Sequence, residues 1–305
     1  MTARLTLGID AGGTSTVAAL ARDGRFEGTL RGGPANATTR GVEAAAAAIH
    51  AVAAELLEGV APAAVYVGAA GAGRAEVAAG LRLALGKRFP GARIRVGDDA
   101  LIALRAAIPE GPGVALVAGT GSVAYAENGE LHARVGGAGY LLGDEGSAFW
   151  IGLAAAKLLA RLYDGRARAD ETTELVALAL AAPNRDALLA ATYGPEFDVA
   201  RIAALAPGVI ALASEGNRAA TKIAQAASSD LADLVKAAAL QAGLAEASPT
   251  VALTGGLLRE NSLLSFLLET RIGGDLPGVS ILRLPDAHDA PARAALRLAQ
   301  ALLEE

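Results

Sequence analysis

Gly8-Ile9-Asp10-Ala11-Gly12-Gly13-Thr14-Ser15-Thr16 decides how the rest of this 305-residue chain is read. Leu5 to Ile9 is an apolar run with the length of a buried strand. It delivers Asp10 into a glycine turn, and hydroxyl residues then lead into a second apolar run, Thr16 to Ala21. Glycines let backbone N–H groups approach an anion closely, and a carboxylate at the strand end suits a hydrated divalent cation. A plain β-hairpin with a solvated Asp fits the same residues. What shifts the balance is recurrence: Ala118-Gly119-Thr120-Gly121-Ser122 again joins two apolar runs.

Outward from Gly8, the pattern predicts strands at Leu5 to Ile9, Thr16 to Ala21 and Phe26 to Arg31, with a turn at Arg22-Asp23-Gly24. An Ala-rich helix over Val42 to Leu57 follows, because Ala loses no side-chain entropy in a helix. Next come a strand at Ala64 to Ala69, a helix at Ala75 to Lys87, a strand at Arg93 to Val96 and a helix at Asp99 to Ala107. The order then restarts. Val114 to Ala118, Ser122 to Glu127 and Leu131 to Val135 read as strands, with a turn at Asn128-Gly129. Helices dominate from Ser147 to Leu162 and from Glu171 to Gly243. Val251 to Leu253 and Val279 to Leu282 read as strands, with a helix between them and another from Ala292 to Leu303. Gly13-Thr14-Ser15-Thr16-Val17-Ala18 lines up with Gly119-Thr120-Gly121-Ser122-Val123-Ala124, 106 residues on. A period that long predicts a duplicated α/β domain rather than a solenoid.

Three further motifs carry chemistry. Gly97-Asp98-Asp99-Ala100 joins a strand to a helix, where α/β proteins bind ligands. One of its acids is placed to orient a hydroxyl and take its proton; both acids are also good helix caps. Gly136-Gly137-Ala138-Gly139-Tyr140-Leu141-Leu142-Gly143-Asp144-Glu145-Gly146-Ser147 is dense in glycine, which is costly in chain entropy for a loop without a task. Asp144 and Glu145 suit sugar hydroxyls or a helix start equally. Thr254-Gly255-Gly256 ends a strand and offers backbone to a nucleoside, on a weaker signal. Trp150 and the three scattered histidines, His50, His132 and His288, read as structural.

Other classes fall away on composition. With no cysteine, disulfides, thiolate zinc and cysteine-bound iron–sulfur clusters are excluded. The G-x-x-x-x-G-K-[ST] loop is absent, and no G-x-G-x-x-G opens a helix after the first strand. Net charge is −5 with no run of five like charges, which predicts no nucleic-acid or membrane surface. Residues 111–126 are uncharged but broken by Pro112 and glycines, and the first residues lack a leader's pattern. The expectation is a cytoplasmic protein.

Taken in order, the five motifs resemble those of the N-acetylglucosamine kinase family, related to the BadF-type ATPases within the sugar-kinase/Hsp70/actin superfamily. The run Gly143-Asp144-Glu145-Gly146-Ser147 is the most specific part. The resemblance implies an α/β chain of two ribonuclease-H-like domains with a central cleft. They would be residues 1–110, with a final helix at about 290–305 packing back on them, and a helix-rich 111–289. It implies ATP-dependent phosphorylation of an amino sugar, at the 6-hydroxyl by analogy, with ATP and Mg²⁺ as cofactors and a homodimer as the assembly.

By the same resemblance, Asp10, Gly12, Gly13 and Thr14 match the first phosphate motif, with Asp10 holding Mg²⁺ through water. Gly119, Thr120, Gly121 and Ser122 match the second, and Gly255 and Gly256 the adenosine motif. Asp99 matches the catalytic base, while Asn36, Asp99, Gly137, Ala138, Gly139 and Asp144 match the sugar site. Ala138 stands where the family usually has Trp, which leaves the exact sugar open. The alternatives are an ATPase without kinase activity and a kinase for another hexose or for N-acetylmuramate. The ATPase's cluster-bearing form is disfavoured by the missing cysteines, and a regulator with a leading DNA-binding domain is disfavoured because the first motif begins at Gly8.

Overall fold

The computed structural model describes residues 4–258, 261–284 and 288–304. The chain divides into two compact units, Met1–Glu110 with Asp286–Glu305, and Gly111–Pro285.

The first unit opens with β1 (Leu5–Ala11), β2 (Thr16–Arg22) and β3 (Arg25–Gly32). Then come α1 (Ala37–Arg40), α2 (Val42–Leu57), β4 (Ala64–Ala69), α3 (Ala75–Arg88), β5 (Arg93–Asp98) and α4 (Asp99–Ala107). The sheet order is β3-β2-β1-β4-β5; the first three strands are antiparallel, and β4 and β5 run parallel to β1. Alternation sorts the side chains of β1 between two layers. Leu5, Leu7, Ile9 and Ala11 join the core that Ile49 and Val52 of α2 and Leu81 and Leu85 of α3 complete.

The second unit contains β6 (Gly113–Ala118), β7 (Ser122–Asn128), β8 (Leu131–Gly136), α5 (Ala148–Tyr163), α6 (Glu171–Ala179), α7 (Arg185–Tyr193), α8 (Val199–Ala203), α9 (Ala206–Ser214), α10 (Arg218–Gln241), β9 (Thr250–Thr254), α11 (Leu263–Asp275) and β10 (Ser280–Arg283). Its sheet, read from the far edge, is β8-β7-β6-β9-β10, the same order and the same strand directions as the first. Thr16 and Ser122, the repeat's equivalent residues, open β2 and β7. The duplicated α/β fold expected from the sequence is therefore present as topology. The core of this unit gathers Leu116, Ile151, Leu159, Val176, Leu231 and Val235.

Helix breaks in the second unit follow capping chemistry. Asp170, Asn184, Asp198 and Asn217 each accept a backbone N–H from the turn they precede, at 2.9–3.0 Å. Among the described residues no single helix is long and apolar enough to cross a membrane. A bent pair, residues 199–214 with 218–241, reaches that length and composition only together.

The last helix, α12 (Ala290–Ala301), belongs to the first unit and covers the other face of β1. Gly8 makes this possible. A Cβ there would lie 1.9 Å from the Leu296 N and 2.4 Å from the Ala292 O of α12, so strand and helix backbones meet directly. Neither backbone can yield as a side chain would. Gly8→Ala is expected to cost roughly 1–3 kcal/mol, read as a lowered unfolding midpoint in denaturant.

Candidate active site

In the first unit, the ends of β1, β4 and β5 carry the predicted residues to one edge. Asp10 is one residue from the end of β1, paired across β4 at Gly68 and on to Gly97 of β5. Paired residues on parallel strands share a face, so side-chain-free positions adjoin Asp10 on that layer. The glycines are needed there: a Cβ on Gly68 would meet Ile102 of α4 at 2.5 Å, and one on Gly97 the Tyr66 hydroxyl at 2.3 Å. α4 is thereby drawn down on the sheet with its first residue, Asp99, toward Asp10.

The two acids of the Gly97-Asp98-Asp99 motif separate in role. Asp98 is the N-cap of α4, and its Oδ1 accepts the Ala100 N–H at 2.9 Å. Asp99 is the first helical residue; its Oδ1 meets the same N–H at 3.0 Å. Helix capping is met by Asp98, so it does not account for Asp99. Burial first, and then the negative charge of Asp99, together push the Asp10 carboxyl up to about 7. Two carboxyl groups that resist joint ionisation at one sheet edge are the arrangement expected where a cation or an acidic proton is handled.

The turn beside them is a four-residue link between Ala11 and Thr16. The Gly12 N–H donates to the Ser15 carbonyl at 3.0 Å, and Gly13 and Thr14 stand exposed at the tip. The Ala35 N–H donates to the Gly12 carbonyl at 3.0 Å, which brings Asn36 alongside. Asn36 is the N-cap of α1, a single turn absent from the sequence reading. Its Oδ1 accepts the Thr38 N–H at 2.8 Å, which fixes the amide's orientation and leaves Nδ2 toward Gly13, 3.8 Å from where a Cβ would be.

Two arginines here had no counterpart in the sequence reading. Arg31 donates to the Ser15 Oγ at 3.1 Å, and Arg74 donates to the Thr38 Oγ1 at 2.9 Å. Arg31 sits on β3, two strands from Asp10, and pairing alone brings it there. Arg74 carried a readable signal, a cation in the position before a helix where a capping oxygen is usual.

The second unit assembles its own group. Gly119, Thr120 and Gly121 form a three-residue link between Ala118 and Ser122, with the Gly119 N–H bonded to the Gly121 carbonyl at 2.9 Å. The start of α5 closes on this turn: the Ala148 N–H donates to the Gly119 carbonyl at 2.8 Å and the Phe149 N–H to the Thr120 carbonyl at 3.3 Å. The glycine-rich loop docks there too. Ser122 donates its Oγ–H to the Glu145 carbonyl at 2.7 Å and its N–H to the Asp144 Oδ1 at 3.2 Å, and the Gly137 N–H reaches the Ser122 carbonyl at 2.8 Å.

Asp144 holds a left-handed backbone at φ 58°, uncommon outside glycine. Its carboxylate lies so near Gly121 that a Cβ there would be 2.8 Å from Oδ1. Burial raises its proton affinity, the Ser122 N–H opposes that, and Glu145 adds to the rise. The helix start itself is capped by Ser147, which accepts the Trp150 N–H at 3.2 Å, so capping does not explain Asp144. Gly137 and Gly139, at φ 67° and 84°, flank an exposed Ala138. Gly255, at φ 98°, lets the end of β9 lie on β6, where a Cβ would be 2.3 Å from the Ala118 carbonyl oxygen; Gly256 begins a 3-10 turn over Gly256–Leu258. Trp150 packs against the second unit's core and His50 against Phe89, with ring centres 5.2 Å apart.

Residues 7–299 match the model of the family described as the BadF/BadG/BcrA/BcrD ATPase family. The N-acetylmuramic acid/N-acetylglucosamine kinase of Clostridium acetobutylicum is 38% identical over 104 residues, a stretch covering 34% of each chain. The N-acetyl-D-glucosamine kinase of Dictyostelium discoideum is 29% identical over 193 residues, covering 61% of this chain and 60% of that one. The matches thus span about a third and about three-fifths of these two curated relatives. A crystal structure from Chromobacterium violaceum, described as a candidate N-acetylglucosamine kinase, superposes with a TM-score of 0.78 at 26% identity, covering 97% of this chain and 99% of that one.

Proposed function

Because the chain belongs to the BadF/BadG/BcrA/BcrD ATPase family, we propose that it is an ATP-dependent kinase acting on an amino sugar, N-acetylglucosamine or a close relative, at the 6-hydroxyl. The observation that carries this reading is the pair Asp10 and Asp99 at the sheet edge beside the Gly12–Thr14 turn, where burial and then the Asp99 charge raise the proton affinity of Asp10. Both curated relatives carry sugar-kinase names, and the fold is that of the kinase-like solved structure.

In this reading the sugar oxygen attacks the γ-phosphorus. A new O–P bond forms as the bond to the β,γ-bridging oxygen breaks, ADP leaves, and the hydroxyl proton passes to Asp99. In the first unit the N–H groups of Gly13 and Thr14 suit phosphate charge, Gly12 holds their turn by donating its own N–H to the Ser15 carbonyl, and Asn36 offers the sugar its Nδ2 donor. In the second unit Gly119, Thr120, Gly121 and Ser122 suit phosphate charge, Asp144 and residues Gly137, Ala138 and Gly139 suit the sugar, and Gly255 with Gly256 suits the nucleoside.

Magnesium fits the donor set. Among the described residues no three His, Cys, Asp or Glu side chains gather as a cage, and an ion held by one carboxylate, water and phosphates is the usual state of Mg²⁺. Asp10 would hold it, and the ion would supply positive charge against the phosphates. A cytoplasmic homodimer is part of the same proposal, on the family resemblance.

The test is a side-by-side assay of N-acetylglucosamine, glucosamine, N-acetylmuramate and glucose with ATP, following ADP release and sugar-phosphate mass. One amino sugar is expected to yield a sugar phosphate in step with ADP. ADP release without any sugar phosphate would replace the kinase with an ATPase of the same family.

A further inference from the structure

The loop after β4 places a cation next to Asn36 that the catalytic reading leaves unused. Gly71 stands at φ 89°, and a Cβ on it would lie 2.1 Å from the Thr38 Oγ1, so the loop is pressed against α1 with nothing between. The Ala70 N–H donates to the Ala11 carbonyl at 2.9 Å, and the Ala72 N–H to the Ala69 carbonyl at 2.9 Å. These bonds pin the segment that carries Arg74, whose guanidinium Nη2 donates to the Thr38 Oγ1 at 2.9 Å. Thr38 in turn donates its N–H to the Asn36 Oδ1 at 2.8 Å. One residue therefore separates the guanidinium from the proposed sugar-holding amide.

Two features leave Arg74 free for a ligand. Its position before α3 is normally filled by Ser, Thr, Asp or Asn, and no side chain caps that helix. A cation there also opposes the helix dipole. Positions that break a local rule without local compensation are where function is expected. Second, among the described residues no carboxylate pairs with Arg74, whereas Arg88 at the other end of the same helix pairs with Glu43 at 3.0 Å. Four of the five N–H donors of a guanidinium tethered by a single hydroxyl bond stay available, in the planar fork that suits an oxyanion.

We infer that Arg74 is a specificity-determining residue that reads an oxyanion substituent on the sugar, so that the preferred substrate class is an acidic amino sugar. This rests on the amino-sugar kinase reading above. A carboxylate carried on an ether and a phosphate ester present the same chemistry to the guanidinium.

Titration calorimetry on the full chain without nucleotide tests it with N-acetylmuramate, N-acetylglucosamine 1-phosphate and neutral N-acetylglucosamine. Wild type is expected to bind at least one acidic sugar more tightly than the neutral one, by about fivefold for an exposed pair, with the margin shrinking as salt is raised. Which acid gains tells carboxylate from phosphate. Arg74→Gln is expected to erase the margin and leave neutral-sugar affinity unchanged, and Arg74→Lys to restore part of it. No acidic preference in wild type, no sugar binding at all, or an equal change for acidic and neutral sugars in Arg74→Gln would overturn the inference. Because binding is read without turnover, a preference that disappears in Arg74→Gln sustains the inference even where no sugar phosphate forms. Turnover of neutral sugars without that preference sustains the kinase and overturns the role of Arg74.

Discussion

Asp99→Asn is expected to lower sugar phosphorylation by about 10²–10⁴-fold while nucleotide binding stays nearly intact. The side chain keeps its size and loses only its ability to take a proton. The fold tolerates the change because the cap of α4 is Asp98, whose Oδ1 takes the Ala100 N–H at 2.9 Å. The contrasting variant is Asp98→Ala, which removes the cap and is expected to cost about 1 kcal/mol of stability with turnover retained. Single-turnover product formation and nucleotide titration separate the two. A fully active Asp99→Asn protein would remove Asp99 from the chemistry.

Asp10→Asn carries the second large effect, and its sign depends on pH. The Asp10 carboxyl titrates near 7 in the folded protein, because burial and then Asp99 disfavour its charge, against about 3.9 in an unfolded chain. Between those values the folded form holds the extra proton. Wild-type stability from this group is therefore fully present below pH 4 and is lost as pH rises to about 7. The difference corresponds to on the order of 4 kcal/mol. Asn cannot ionise, so the variant is expected to lose this slope and to be the more stable protein at pH 8 without ligand. Its phosphoryl transfer is expected to collapse, since the carboxylate proposed to hold Mg²⁺ is gone. Urea denaturation at pH 5 and pH 8 reads the first effect; equal slopes in wild type and variant would show that Asp10 is not the titrating group. Stability gained together with activity lost is the signature of a site that stores electrostatic strain for its ligand.

Much of the architecture was legible in the chain. Val42–Leu57, Ala64–Ala69 and Asp99–Ala107 occupy the residues their patterns predict, because apolar period, caps and turn glycines act within a few residues of one another. The Gly-Thr repeat announced two equivalent hairpins, and equal strand order in the two sheets is its structural form. The helices between Glu171 and Gly243 were legible only as a helical region. Ala-rich sequence favours helix throughout, and the breaks depend on which Asp or Asn is used as a cap. Of the candidate residues, Asp10, Asp99 and Asn36 fall at one edge of the first sheet, while Asp144 falls on the Gly121–Ser122 turn of the second.

By itself the sequence determined the alternation of strands and helices, the two glycine hairpins and the acids that follow strands, since each is written in neighbouring residues. Only the tertiary structure decided that α12 returns to the face of β1 through Gly8, that Asp99 comes near enough to charge-couple with Asp10, and that Arg74 rests on Thr38. Those depend on strand order and on where a missing Cβ lets two backbones touch, relations between residues tens to hundreds of positions apart that no local pattern encodes.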